Sequence, residues 1–170
     1  MDWITIGEEV ERIRSYLTIQ KMRYRDILDF KIDVEEDVAE NTILKLLLQP
    51  LVENALYHGI KNKRQRGMIH VRARRKGENE VLLEVGDDGI GFTSEKLNQL
   101  RAELNEDQGD IKLESGFGLG NVNKRIRLYY GEPYGLSVQS DYMSGTCVTL
   151  VIPAKIEAAP QREGHVNGQD

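Results

Sequence analysis

The sequence predicts an α+β fold, a two-layer α/β sandwich built on a mixed, mostly antiparallel sheet. Three observations predict it. Strand signals fall in pairs between helical stretches, in the order helix, strand, helix, strand, strand, helix, loop, helix, strand, strand, which suits a sheet covered by helices. The chain has 170 residues, the size of one domain with a real core. Its 39% hydrophobic and 30% charged residues describe a globular chain rather than a disordered one.

Each element has a local reason. Thr5 with Glu8 three residues later fits a capping box. Val10, Ile13, Leu17 and Tyr24 then recur at helical spacing, with Tyr16 and Ile19 on a flanking stripe. Leu28, Phe30, Ile32 and Val34 alternate with polar residues, a strand over Leu28–Val34. Thr42–Gly59 is strongly apolar and reads as one buried helix ended by Gly59, with Pro50 in its first turn or at a kink. Two strands follow near Met68–Arg74 and Val81–Val85, the second running into Gly86-Asp87-Asp88-Gly89-Ile90-Gly91. A helix covers Ser94–Leu104, and the polar stretch Asn105–Ser115 reads as a mobile loop. Gly116–Gly120 opens a further helix ending near Gly131, and strands near Leu136–Ser140 and Thr146–Ile152 flank a turn at Ser144-Gly145. Ala154–Asp170, with Pro160 and almost no apolar residues, reads as a disordered tail.

Composition also narrows function. With 23 Lys+Arg against 28 Asp+Glu the formal net charge is −5, which argues against nucleic acid as a main partner, because that binding leans on basic residues against phosphate. The basic stretch Lys61–Arg75 reads as a solvated face. The longest apolar run, Leu46-Leu47-Leu48, is far short of the roughly 20 residues a membrane helix needs, and no leader-like segment opens the chain. Cys147 is the only cysteine, so no internal disulfide can form and a reducing compartment is the simplest expectation.

Four signals carry chemistry. Asn54 lies inside an apolar helix, where an amide is a poor helix former and must be satisfied if buried. Two readings stand: a structural amide bonding a neighbouring loop, or a side-chain oxygen for a hard cation such as Mg²⁺. His58 and Lys61 follow it at intervals of four and three, a polar edge on the same helix. Asp87-Asp88-Gly89-Ile90-Gly91 follows a strand directly. A carboxylate only accepts hydrogen bonds and suits an exocyclic amino group such as that of adenine, and glycines let a ligand approach the backbone. Asp and Gly equally favour a plain tight turn. Gly116-Phe117-Gly118-Leu119-Gly120-Asn121 opens a helix carrying Lys124, Arg125 and Arg127, and free N–H groups at a helix start suit phosphate. It is not a dinucleotide-binding fingerprint, because a polar loop rather than a strand precedes it, and the chain has neither a Walker A loop nor the protein-kinase signatures. Ser144-Gly145-Thr146 enters the last strand, as an ordinary hairpin turn also would.

Taken in order, these signals resemble the GHKL ATP-binding fold shared by histidine kinases, DNA gyrase, Hsp90 and MutL. Leu48-Gln49-Pro50-Leu51-Val52-Glu53-Asn54-Ala55-Leu56-Tyr57-His58-Gly59 resembles the N box of the LytS/YesM-type sensor histidine kinases. Gly116 to Val122, with Arg125-Ile126 and Tyr130-Gly131, resembles that branch's second glycine box and the helix after it. Tyr16 to Tyr24 is similar to the stretch joining its phosphoacceptor region to the ATP domain. The resemblance covers roughly residues 5–153.

The resemblance implies a GHKL (Bergerat-type) sandwich with helices on one face. Residues 1–25 would end the connecting helix, 26–153 form the catalytic domain with a lid at about 92–115, and 154–170 form the tail. By the same resemblance Asn54 ligates the Mg²⁺ that bridges the ATP phosphates, and Asp87 accepts from the adenine amino group. Gly89 and Gly91 lie against the base, and Gly145 and Thr146 close its side. Gly116, Gly118, Leu119 and Gly120 bring amides to the phosphates, with Asn121 near them. His58 and Lys61 fall near the phosphates, and Glu53, beside Asn54, polarises water or metal.

Two departures bear on mechanism. Asp88 stands where the family usually has Asn, and Pro50 stands where the hydrolytic GHKL ATPases carry a catalytic Glu, which favours phosphoryl transfer over hydrolysis. The implied function is that of an ATP-dependent protein-histidine kinase passing the γ-phosphoryl group to a histidine outside this stretch, since His58, His70 and His165 all lie outside the first helix. The alternatives are a GHKL-type ATPase or serine kinase, and a nucleotide-sensing module without transfer. Implied partners are ATP, Mg²⁺, a phosphoacceptor helix in cis or in trans, and a cognate response regulator. The full-length protein would be homodimeric and sit in the bacterial plasma membrane, with this domain in the cytoplasm.

Overall fold

The computed structural model of the chain describes residues 2–63, 65–105 and 118–155. A short strand, β1 (Trp3–Thr5), runs into α1 (Ile6–Arg23). The capping box is formed: Glu8 N–H donates to Thr5 Oγ1 at 3.1 Å and Thr5 N–H donates to Glu8 Oε2 at 3.0 Å. Ile6, Val10, Ile13 and Leu17 are buried, Ile19 is exposed, and Tyr24 ends the helix. Thr5→Ala leaves an N-terminal N–H without its partner, so it is expected to cost about 1 kcal/mol. The check is a urea titration, where the midpoint should fall with an unchanged slope.

The stretch Thr42–Gly59 is not one helix. Thr42–Leu44 forms β3, antiparallel to β1, with Trp3 opposite Leu44 and Thr5 opposite Thr42. The β-branched Thr42 and Ile43 find their backbone partners at the far end of the chain, which no local periodicity reveals. Leu46 then takes φ 64°, and α2 begins only at Leu48 and runs to Asn54. Pro50 sits in its first turn, where a missing N–H is tolerated. Nor does Gly59 end the helix. Ala55–Ile60 continue as a π-helical turn, and Lys61–Lys63 (α3) add one more α turn.

The main sheet has five strands in the order β2 (Leu28–Val34), β4 (Gly67–Lys76), β5 (Glu80–Asp87), β7 (Gly145–Pro153), β6 (Leu136–Asp141). The β2–β4 pair is parallel and the rest are antiparallel, as the mixed-sheet expectation requires. Val71, Leu83 and Val85 on one sheet face share a core with Leu17, Leu51, Leu56, Leu100 in α4 (Ser94–Asn105) and Ile126 in α5 (Leu119–Tyr130). The period-2 alternation puts Arg72, Arg74 and Glu84 on the other face, where Arg74 and Glu84 pair at 3.6 Å.

The predicted helix at Ser94–Leu104 extends one residue, to Asn105. The expected lid over 92–115 begins with α4, and Phe92, Leu97, Leu100 and Leu104 of that stretch are buried in the core. The rest of the loop and lid expectation, over 106–115, the glycine-box residues Gly116 and Phe117, and the tail expectation over 156–170 lie outside the described residues. Ala154 and Lys155 are both held: Ala154 N–H donates to Asn79 and Lys155 C=O accepts from Thr42, each at 2.8 Å. Among the described residues no helix is long and apolar enough to cross a membrane.

Candidate functional site

The site is built where β5 ends against the π turn. A Cβ on Gly59 would fall 2.6 Å from Asp87 Cγ, and one on Gly89 would fall 2.5 Å from Gly59 Cα. Glycine is therefore required at both positions for contact rather than for chain termination. The π turn makes the contact possible. Lys61 N–H bonds to Leu56 C=O, five residues back, and Gly59 C=O is released to accept Ile90 N–H at 3.2 Å. Such widened turns recur at functional sites.

Half-buried Asp87 is pressed against this backbone, and its carboxyl is raised from its ordinary value to about 7. Desolvation is the main cause, and the neighbouring Asp88 adds to it. The N–H groups of Gly89 (2.9 Å) and Thr146, with Lys63 nearby, pull the other way and lose. A carboxyl held near neutrality in a cleft is a mark of a working site. The extra charge of Asp88 is tied into structure: its Oδ1 accepts Met68 N–H at 2.7 Å, and its C=O accepts Lys63 Nζ at 2.6 Å.

The Asp-x-Gly-x-Gly turn is knitted to the β6–β7 hairpin. Gly91 has φ 69° and packs against Asp141, and Met143 N–H donates to Ile90 C=O. Phe92 N–H donates to Ser140 Oγ at 2.7 Å, and that hydroxyl donates to Gly145 C=O at 2.9 Å and lies 2.8 Å from Thr146 Oγ1. Thr146 is the register partner of Asp87 in β7. The sequence does not mark Ser140, Met143 or Lys63 as site residues. Ser140 had one local signal, a hydroxyl two residues after the apolar Val138 on the inward face of a strand.

Asn54 is 5% exposed and its Oδ1 has no hydrogen-bond partner among the described residues. A buried amide oxygen without a donor is costly unless something else supplies the partner, and such an oxygen is the hard donor that Mg²⁺ takes. The rest of the predicted polar edge divides. Lys61 Nζ lies 4.7 Å from the ring centre of Tyr57 and 5.2 Å from that of Tyr24, turned toward the end of α1. Glu53 accepts Gln49 Nε2 at 3.2 Å and, with Tyr57, acts on Tyr16 of α1. His58 is half-buried in the π turn.

The start of α5 forms the third part. Gly118 has φ 66° and caps the helix without a side-chain bond, so the first N–H groups are left for other partners. Among the described residues a Cβ on Gly118 or Gly120 would meet nothing within 4 Å. Leu119 is buried and Asn121 is exposed. A cleft of about 470 Å³ opens over Gly86 between His70 and Cys147, and Asp87, Asp88, Ser140, Gly145 and Thr146 of the site also line it. Burial there pushes the Cys147 thiol up, which makes it a poor nucleophile.

Comparison with known proteins gives a consistent result. The family model described as histidine kinase-, DNA gyrase B-, and HSP90-like ATPase matches residues 39–156. The sensor histidine kinase YesM of Bacillus subtilis (strain 168) is 34% identical over 156 residues, 92% of this chain and 25% of that protein. The sensor histidine kinase BtsS of Escherichia coli (strain K12) is 31% identical over 157 residues, again 92% and 25%. The chain thus spans about a quarter of the length of these curated relatives. Among solved structures, the histidine kinase ThkA in complex with the response regulator protein TrrA superposes with a TM-score of 0.62 at 16% identity, over 91% of this chain and 42% of that one.

Proposed function

The chain belongs to the histidine kinase-, DNA gyrase B- and HSP90-like ATPase family, and from that premise we propose that it is the ATP-binding catalytic domain of a sensor histidine kinase. One observation carries the reading. A half-buried carboxyl at Asp87 and an unpartnered buried amide oxygen at Asn54 are joined through one π turn, with Gly59 as the contact. Neither polar group has a structural reason to be left in that state.

In this reading Asp87 accepts the adenine amino group, with Gly89, Gly91 and Thr146 along the base. Gly118, Leu119 and Gly120 turn helix N–H groups toward the phosphates, with Asn121 beside them, and by the sequence resemblance Gly116 serves the same group. Asn54 would hold Mg²⁺ through its free Oδ1. When bound, that ion supplies positive charge against the phosphates. His58 borders the phosphate end, whereas Lys61 and Glu53 would have to turn away from α1 to reach it.

Pro50 in place of a carboxylate leaves no water-activating base one turn before Asn54, which supports transfer over hydrolysis. The acceptor is a histidine on another segment, in cis or in trans, and the phosphoryl group then passes to a response regulator. The helix α1 (Ile6–Arg23) is the end of the connection to that segment, in a homodimeric, membrane-anchored protein with this domain in the cytoplasm.

The test is calorimetric titration of the chain with Mg·ATP. The unsubstituted chain should bind, and Asn54→Ala should weaken Mg·ATP binding at least tenfold while unfolding at the same temperature or higher. Equal affinity in the two proteins would remove Asn54 from the site. A supplied phosphoacceptor helix should then be labelled by radioactive ATP, and ATP hydrolysis without labelling would point to an ATPase instead.

A further inference from the structure

Leu46 and Met143 are the non-glycine residues with positive φ among those described. Met143 sits at a hairpin tip, but Leu46 lies directly before α2, and its side chain is 44% exposed. A leucine gains nothing there from a left-handed backbone, where its Cβ crowds the following carbonyl oxygen. Such a conformation persists only where its surroundings over-determine it. They do. Leu46 N–H donates to Glu9 Oε2 at 3.2 Å, and Arg125 donates to Leu46 C=O at 3.0 Å and to Lys45 C=O at 2.7 Å. Lys45 N–H donates to Asp2 C=O at 2.7 Å. Every backbone polar group of Lys45 and Leu46 is thus held from outside the segment. Glu9 is 1% exposed, and its Oε1 has no hydrogen-bond partner among the described residues. Burying a carboxylate for one backbone bond is a poor way to gain stability alone.

The position of the clamp is informative. α2 starts just after it and ends at Asn54, whereas α5 starts at the Gly118 turn and carries Arg125. We propose that Glu9 and Arg125 are positioning residues for the phosphate end of the site, locking the Lys45–Leu46 hinge so that Asn54 keeps a fixed place relative to the Gly118 turn. This rests on the nucleotide reading of those two groups. The lever is short but sufficient: seven residues of helix span about 10 Å, so a rotation of about 10° at Leu46 moves Asn54 by about 2 Å. Misplacement on the order of 1 Å already costs about a hundredfold in a positioned reaction. The adenine end meets the hinge-borne helix only through the Gly59 contact and has supports of its own. Asp87, Gly91 and Thr146 are held by strand register and by the Ser140 bonds.

The experiment measures two affinities and a melting temperature for the chain and for Leu46→Gly, Arg125→Met, Arg125→Lys and Glu9→Gln. One affinity is for AMP in EDTA and the other is for Mg·ATP. Leu46→Gly should melt within a few degrees of the parent, since relieved strain offsets added chain freedom. Its AMP affinity should stay within about twofold while Mg·ATP weakens by about fivefold or more. Arg125→Met should show the same split, and Arg125→Lys should recover part of the loss. A purely structural role would move both affinities together, or neither in variants that remain folded, and either result overturns the clamp. Failure of the unsubstituted chain to bind either nucleotide overturns the nucleotide reading and the clamp with it. Normal binding by the parent with unaffected variants overturns the clamp alone.

Discussion

Replacing Asp87 with Asn is expected to raise the melting temperature of this chain near neutral pH while removing its affinity for adenine nucleotides. The folded-state pKa of Asp87 is about 7, against 3.8 for the free side chain. A raised carboxyl makes its full contribution to stability below the unfolded value and loses it as pH climbs through the folded value. The penalty therefore grows from about pH 4 to about pH 7 and is level above. Three units correspond to about 4 kcal/mol. Because Asp87 is partly open to solvent, about 2–4 kcal/mol is the expected range. At about 2–4 °C per kcal/mol for a chain of this size, Asp87→Asn should melt at least about 5 °C higher at pH 8 and equal the parent near pH 4. Melting curves that differ by the same amount at every pH would sink the burial argument. An isosteric amide keeps an acceptor for Gly89 N–H but presents a mixed donor and acceptor to the base. Stability gained together with binding lost is the pattern of a group kept for function.

Gly89→Ala should have the opposite effect on stability, and a larger one. Its methyl would stand 2.5 Å from Gly59 Cα and closer still to the Gly59 carbonyl, backbone against backbone, with no side chain able to move aside. Relief requires separating the π turn from the end of β5, which also breaks the Ile90 to Gly59 bond. A loss of about 3–5 kcal/mol is expected, the upper range for a single substitution. Gly118→Ala is the control. Gly118 has a positive φ of 66° but no described residue within 4 Å of an added Cβ, so only the backbone cost of about 1 kcal/mol is expected. Denaturant titration of the pair settles the matter, and equal losses would show that the close contact is not rigid.

Much of the fold was legible locally. The Thr5–Glu8 box, the alternation in Leu28–Val34 and the glycines bounding α5 each act within a few residues, so strand and helix positions follow from the text of the chain. Thr42–Gly59 misled because its apolar content suits a helix throughout. The turn that separates strand from helix is a leucine in a glycine-like conformation, imposed by Glu9 and Arg125 from distant elements. Gly59 read as a stop, yet it is a contact residue, and its reason lies in Asp87. Lys61 kept helical spacing from Asn54 and His58, but its charge rests on Tyr24 and Tyr57.

By itself the sequence determined the five strands of the main sheet, the family and which polar residues stood in unusual places. Only the tertiary structure decided how those residues are used: the pairing of β1 with β3, the π turn under Asp87, the unpartnered oxygen of Asn54 and the direction of Lys61. The division is physical. Periodicity and capping are energies between neighbours in the chain, whereas desolvation, close backbone contact and side-chain direction are set by segments that meet only after folding.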